Sequence, residues 1–543
     1  MKRFISVMLC VFALGCSPSD ETGDRVGPGL DGGEMTQERG LRVETNLGPV
    51  IGTDENGLRV FRGMPYAQAP VGDLRFRPPV GHAGWDEDFV ADIHSAACPQ
   101  QLDNAIAPPE PNQSEDCLSI NVWAHKDAEL KPVLVWVHGG GFLVGNGGRS
   151  MYDSAKLANR GDVVVVTFNY RLGMLGFLAL DAFRSENEAG ATGNYAILDQ
   201  RLAFEWVRDN IEAFGGDPNQ VTIFGQSAGA ISVCTHLGMP GSDGLYHGAI
   251  IQSGTGCWGP WLPSQVEDDS RAYLEATECA ESDDVPACLR ALSVDTLLEA
   301  QRLPAKNILG QANIGPYVDG VNLPAQPLQR LAAGAVPRVP MIIGSTALEV
   351  AAFTLLRLVP AATPEDYDAL RGLLSLSDED QARLKEVFPL EGYANVKELI
   401  DELGTDFYFS CPNLLMARVG TRAGYSMRQY EFGYTPGGVL GVFGALHSTD
   451  EFYIFGNESE SGGFSTELDE QGIAYLQDAW TQFARNGALD MAMNWPEFTD
   501  DNPSIRAIEP DGELIDNFRG GRCELLFEAG LLPQRAAQVD LMP

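Results

Sequence analysis

The sequence predicts an α/β fold: a large, mostly parallel central sheet flanked by helices, with helical cap insertions. Two observations predict it. First, short runs rich in β-branched and apolar residues occur at 133–137, 163–168, 221–224, 249–251 and 341–343, and they end at glycine-rich turns. Near-continuous apolar runs of that length suit strands covered on both faces. Second, helical patterns lie between them, as at 195–214, where Leu198, Leu202, Trp206 and Ile211 recur at steps of four and five. Strands that alternate with helices argue for a parallel sheet sandwiched by helices. The stretch from about 262 to 335 carries helical patterns and few clear strands, and it is expected to cap the sheet edge.

A chain of 543 residues with 44% apolar side chains can bury a large core. Its net charge of −38, with no Lys/Arg-rich run, would repel a phosphate backbone and argues against nucleic acid as a partner. The N-terminus reads differently. Lys2 and Arg3 precede a mostly apolar stretch from Phe4 to Leu14 and then Gly15-Cys16, which is the form of an export leader and too short to span a bilayer. Ala13-Leu14-Gly15-Cys16 resembles a bacterial lipobox, so residues 1–15 are expected to be removed and Cys16 lipidated. An ordinary secretory signal with a chance cysteine is the alternative. Residues 16–39 have almost no large apolar side chain to offset the entropy of ordering them, and they read as a flexible tether. Residues 40–543 are then expected to form one folded domain. It is expected to be exported and held at the periplasmic or outer-membrane face by an N-terminal lipid, its sole expected contact with a membrane.

Gly225-Gln226-Ser227-Ala228-Gly229 follows the run 221–224 directly and continues into a helical pattern. A strand, a sharp turn and a helix are the setting of a nucleophile elbow. Side chains flanking the serine would clash there, so both glycines are required. His138-Gly139-Gly140-Gly141-Phe142 after the run 133–137 supplies the second half of such a site. The N–H groups of Gly140 and Gly141, joined by that of Ala228, can face an oxygen that becomes negative during acyl transfer. A glycine triplet alone is more often a plain turn; two motifs in this order point to an α/β-hydrolase.

In that fold the triad runs Ser, then Asp or Glu, then His. Of seven histidines only His236, His247 and His447 follow Ser227, and the first two lie too close to it to leave room for a strand that delivers an acid. His447 remains as the base. Glu349 is the best placed acid because it follows the run 339–343 and Gly344, where functional loops of such sheets sit. Asp319 and Asp406 are rivals; otherwise they read as turn chemistry and a solvated helix face.

The chain resembles the type-B carboxylesterases, the family that includes cholinesterases, fungal lipases and bacterial para-nitrobenzyl esterases. The resemblance rests on FRGMPYAQAPVGDLRFRPP at 61–79, SEDCLSINVW at 114–123, NYRLGMLGF at 169–177, GNYAILDQRLAFEWVRDNI at 193–211, FGGDPNQVTIFGQSAGA at 214–230 and GALHSTDEFYIFG at 444–456. It implies Ser227 as nucleophile, Glu349 as acid, His447 as base, and Gly140, Gly141 and Ala228 as oxyanion donors. It also implies ion pairs Arg75–Glu115 and Arg171–Asp199, and disulfides Cys98–Cys117, Cys279–Cys288 and Cys411–Cys523. Cys234 and Cys257 are left either free and buried or paired with each other. Three positions depart from the family pattern: Gln226 stands where Glu is usual, Val350 where Gly is common, and Ser119 where Tyr or Thr is preferred.

The expected reaction is hydrolysis of a small-molecule carboxylic ester through an acyl-enzyme, with no metal or organic cofactor. Cholinesterases carry a tryptophan between their first two disulfide cysteines, whereas the segment 99–116 has no aromatic residue, which argues against choline esters as dedicated substrates. Trp258, Trp261 and Phe142 are candidates for the substrate pocket, and plain core packing would suit the two tryptophans equally. Rival readings are a related lipase, thioesterase or amidase, or a binding homologue without catalysis. The presence of all three triad residues argues against the last.

Overall fold

A computed structural model describes residues 41–101, 110–257, 261–303, 313–356, 361, 363–373, 376–437, 440–457 and 466–532. The expected leader 1–15, the tether 16–39 with Cys16, and Trp258 lie outside the described residues.

One sheet organises them. Its strands are β1 (Thr53–Glu55), β2 (Leu58–Pro65), β3 (Ser119–His125), β4 (Lys131–Val137), β5 (Val164–Phe168), β6 (Gly216–Gln226), β7 (Gly248–Gln252), β8 (Met341–Thr346), β9 (Met427–Phe432) and β10 (Ile505–Ile508). They lie in the order β10-β9-β8-β7-β6-β4-β5-β3-β2-β1. From β10 to β5 every pairing is parallel; β5 to β1 pair antiparallel. A separate small sheet joins Arg42–Thr45, Gly48–Ile51 and Phe89–Val90.

The parity of a strand decides which core each side chain joins. Val133, Val135 and Val137 of β4 enter one core with Val164, Val166, Val221, Ile223, Ile251 and Ile343, whereas Leu134 and Trp136 enter the other with Val165, Phe224, Ile250 and Ile342. Both faces are therefore dry, as the apolar runs require. Burying each of these side chains stabilises the fold by about 1.5–3 kcal/mol relative to exposure. The first face is covered by helices α2 (Tyr195–Asn210) and α3 (Ala228–Leu237), and the second by α1 (Ala155–Gly161). Helix α4 (Cys411–Arg422) adds to the first, and α5 (Thr449–Phe455) and α6 (Glu467–Asn486) to the second. Helix α6 begins with a capping box in which Thr466 Oγ1 accepts from Asp469 N at 3.2 Å and Asp469 accepts from Thr466 N at 2.9 Å. The same carboxylate accepts from Tyr453 Oη at 2.5 Å, which ties α6 to α5. The pattern predicted at 195–214 is helical throughout but changes form, with α2 ending at Asn210 and one tighter turn, Ile211–Phe214, following before Gly215.

The region expected as a cap holds the helices Pro263–Glu275, Val285–Ala291, Val294–Ala300 and Pro327–Ala332. The second and third pack on the short helical segments Gly72–Leu74, Gly173–Phe177 and Asp181–Glu186. Arg75 locks that junction. Its guanidinium meets Glu115 through two bonds of 2.7 and 2.6 Å and also donates to the carbonyls of Arg290 and Leu292. Arg171 grips Asp199 in the same two-pronged way, at 2.8 and 2.6 Å, with both side chains buried. The disulfides Cys98–Cys117, Cys279–Cys288 and Cys411–Cys523 are formed, and the open question about Cys234 and Cys257 is answered because they pair. That fourth bridge fastens α3 to the segment that follows β7.

Candidate active site

β6 runs straight into α3 through Ser227, whose φ of 56° and ψ of −122° hold it outside both strand and helix geometry. The flanking glycines are obligatory for a measurable reason. A Cβ at Gly225 would lie 2.6 Å from the Gly229 carbonyl carbon, and one at Gly229 would lie 1.9 Å from the Val137 oxygen. Ser227 N donates to Gln252 O at 2.9 Å, which anchors the turn to β7. The Ser227 hydroxyl makes no hydrogen bond among the described residues.

The loop after β4 passes against this turn, since a Cβ at Gly139 would sit 3.3 Å from Ser227 Cβ. Gly140 and Gly141 have φ of 109° and 62°, and a side chain at Gly140 would meet Val144 O at 2.1 Å. His138 supports the loop without serving as a base. Burial pushes its imidazole down to about 3, its Nδ1 donates to Gly139 O at 2.8 Å, and its ring stacks on Tyr170, whose hydroxyl donates to His138 O at 2.7 Å. The N–H groups of Gly140 and Gly141 have no partner among the described residues. Ala228, first in α3, belongs to the helix turn whose N–H groups have no intrahelical acceptor. Among the described residues these three donors are unspent, Ala228 directly following Ser227 and the two glycines directly following Gly139, which packs against it.

Glu349 and His447 meet. Glu349 follows β8 in a turn closed by Thr346 N, which donates to its Oε1 at 2.7 Å, and the carboxylate is fully buried. Its Oε2 accepts from His447 Nδ1. The two loops are brought together by backbone, because Leu348 N donates to Ala445 O at 3.0 Å and Leu348 bridges Leu446. Val350 is accommodated by a glycine opposite: a Cβ at Gly404 would lie 2.7 Å from a Val350 methyl. Phe353 and Phe409 flank the imidazole with centroids 5.3 and 5.4 Å away. The other ring nitrogen, Nε2, lies 3.2 Å from Gln226 Nε2, next in sequence to Ser227.

The rival acids are elsewhere. Asp319 accepts from Val321 N and Leu323 N, both at 2.9 Å, which is turn chemistry. Asp406 corrects an expectation. It does not sit on a solvated helix face but is fully buried on a π-helical turn, Asp406–Ser410, clamped by Arg519 and by Arg522 at 2.5 Å. Sequence periodicity could not find it because its partners lie 113 and 116 residues downstream.

Of the pocket candidates, Phe142 and Trp261 converge on the Gly315 backbone, where a Cβ would lie 2.9 Å from the Phe142 ring and 3.2 Å from Trp261 Nε1. Sequence reasoning missed a polar network behind the serine. Gln252 and Tyr430 both donate to Asp450 Oδ2, at 3.0 and 3.1 Å, and Trp480 Nε1 donates to Gln252 at 3.2 Å. Burial pushes the Asp450 carboxyl up to about 6 against those hydrogen bonds. The signal was present: a glutamine closing the apolar run Gly248–Gln252 needs buried partners. No cluster of metal-ligating side chains occurs among the described residues.

The geometry has relatives. The sequence profile described as Carboxylesterase family matches residues 39–526. A para-nitrobenzyl esterase of Bacillus subtilis (strain 168) is 34% identical over 500 residues, covering 89% of this chain and 98% of that one. A fumonisin B1 esterase of Sphingopyxis macrogoltabida is 33% identical, covering 86% of each chain. Among solved structures, a thermophilic PNB esterase superposes with a TM-score of 0.79 at 31% identity, over 90% of this chain and 99% of its own.

Proposed function

This chain belongs to the carboxylesterase family and is a carboxylic ester hydrolase of the α/β-hydrolase fold, and we propose that it works through Ser227, His447 and Glu349. In this reading His447 Nε2 takes the proton of Ser227 as the hydroxyl oxygen attacks the ester carbonyl, while Glu349 fixes the tautomer and stabilises the imidazolium. The N–H groups of Gly140, Gly141 and Ala228 receive the developing oxyanion. The alcohol leaves with the proton, and water activated by the same imidazole then releases the acid. The observation that carries the reading is the Glu349–His447 hydrogen bond between residues 98 apart in sequence, on a ring whose far nitrogen reaches the residue beside Ser227.

The substrate proposed is a small-molecule carboxylic ester. A panel of para-nitrophenyl esters of graded acyl length, run beside a triglyceride emulsion and a para-nitroanilide, tests it. Soluble esters should turn over fastest; anilide or emulsion turnover without ester turnover would contradict the proposal. The proposal extends to export and a lipid on Cys16, supported by the basic, apolar and Gly-Cys sequence of residues 2–16 and by four disulfides, which persist in oxidising compartments. Radiolabelled palmitate should enter the wild-type chain and not Cys16→Ser; equal labelling of both would refute the anchor.

A further inference from the structure

The turn that carries Glu349 is gripped by an ion cluster that the reaction does not use. Asp406, fully buried, is shared by Arg519 and Arg522, and Arg522 also meets Glu402 at 2.9 Å. One nitrogen of Arg519, Nη1, reaches out of that cluster. It donates to the carbonyl of Ala347 at 3.2 Å and lies 3.2 Å from Glu431 on β9. Ala347 stands two residues before Glu349, in the turn whose amides are spent on separate segments: Ala347 N on Phe432 O at 2.9 Å, Leu348 N on Ala445 O at 3.0 Å and Val350 N on Thr405 Oγ1 at 3.3 Å. The cluster borders the base as well. Asp406 opens the π-helical turn Asp406–Ser410, whose Phe409 packs on the His447 ring and whose Ser410 Oγ lies 3.2 Å from Ser345 Oγ on β8.

Both arms of the cluster adopt uncommon backbone. One is the π-helical turn itself; the other is a left-handed run at Arg519, Gly520 and Gly521, with φ of 51°, 62° and 78°. The disulfide Cys411–Cys523 joins the two arms one residue beyond Ser410 and Arg522. Costly geometry of this kind persists where its surroundings over-determine it, and it gathers at functional sites. Neutralising Asp406 does not require it, because Arg522 already meets that carboxylate. What the left-handed conformation at 519 adds is a forked cation with one prong on the acid's turn.

We propose that Arg519 is a positioning residue for the catalytic acid: through the Ala347 carbonyl it fixes the turn that aims the Glu349 carboxylate at His447 Nδ1. The inference rests on reading Glu349 and His447 as acid and base. Arg519 touches neither of them, nor the substrate; its effect passes along two residues of backbone from Ala347 to Glu349. With that prong removed, the turn keeps its bonds to Phe432, Ala445 and Thr405 and the fold survives, while the carboxylate is held less closely. Orientation of the imidazole is what the acid supplies, so the loss falls on turnover and not on substrate binding.

The test is steady-state hydrolysis of a soluble aryl ester, normalised to folded protein, for Arg519→Met and Arg519→Lys, each alone and combined with Glu349→Gln. Arg519→Met keeps the apolar stem without its bonds and should lower kcat about tenfold with KM within about twofold, the scale of a small misplacement of a catalytic group. Arg519→Lys retains the charge for Asp406 but, lacking the fork, should lose about threefold; it decides the matter by the same readings if the methionine variant does not fold. Arg522 still holds Asp406 in both, so the turn bearing Phe409 keeps its anchor. In the Glu349→Gln background each loss should shrink below about twofold, because the two substitutions then remove the same contribution. Losses that persist at full size in that background, or wild-type kcat in both single variants with only the thermal midpoint lowered, would overturn the proposal. Glu349→Gln alone guards the underlying reading. Near-parental kcat there removes Glu349 as the acid, whereas a large loss there beside unchanged Arg519 variants refutes the role of Arg519 only.

Discussion

Replacing Ser227 by alanine is expected to lower kcat by roughly 10⁵-fold or more while leaving the fold intact, because the nucleophile has no substitute within the turn. The structure predicts both halves. The hydroxyl makes no hydrogen bond among the described residues, so its removal leaves no buried partner unsatisfied. The backbone conformation, with φ at 56° and ψ at −122°, is as costly for serine as for alanine, since the strain comes from the Cβ that both carry. The turn is held instead by Ser227 N on Gln252 O and by the absence of side chains at Gly225 and Gly229. The thermal midpoint should therefore move by no more than about 2 °C, the shift from a fraction of a kcal/mol in a large domain. Residual turnover near the parent rate would remove Ser227 from the reaction.

Glu349→Gln is expected to lower kcat by roughly 10³–10⁴-fold, the scale found when the orienting acid of a serine triad becomes an amide. The cause here is specific. Oε1 accepts from Thr346 N, and glutamine can keep that bond only by presenting its NH₂ to His447 Nδ1. The ring would then have to accept at Nδ1 and carry its hydrogen on Nε2, where a lone pair is needed for the serine proton. Two controls follow from the rival acids. Asp319→Asn should stay within about threefold of wild type, since Asp319 closes a turn. Asp406→Asn should cost several kcal/mol of stability by taking from Arg519 and Arg522 the charge of their shared, fully buried partner, yet the molecules that remain folded should turn over esters. Steady-state kinetics normalised to folded protein checks all three. A loss at Asp406 or Asp319 matching that at Glu349 would reassign the acid.

The parts of the site fixed by local sterics were legible in the sequence. Gly225 and Gly229 flank Ser227 because a Cβ at either would strike backbone, and that constraint leaves a readable motif. The same holds for strands β4 to β8, whose two buried faces demand unbroken apolar runs. The strands beyond them were not read as such, for physical reasons. In β3 the run Ser119–His125 includes Asn121, which is buried because it accepts from Gly63 N at 2.9 Å and donates to Thr167 Oγ1 at 2.9 Å. In β9 the polar residues Arg428, Gln429 and Glu431 break the apolar signal, and Gln429 O accepts from Trp495 Nε1 at 3.0 Å. Such pairings are made by distant segments and leave no local periodicity. Asp406 was misread on the same ground, because a carboxylate neutralised by arginines more than a hundred residues away looks like any surface acid. The Cys234–Cys257 pair needed the approach of α3 to the segment after β7, which spacing does not encode. The approach of Gln226 to His447, 221 residues on, likewise comes only from three-dimensional placement.

The most direct test of the central claim is covalent. A para-nitrophenyl phosphonate ester should inactivate the wild-type protein with release of one equivalent of nitrophenol, and mass spectrometry should find the adduct on the peptide that contains Ser227. Ser227→Ala should stay unlabelled. An adduct on another residue, or ester turnover that survives full labelling of Ser227, would contradict the account.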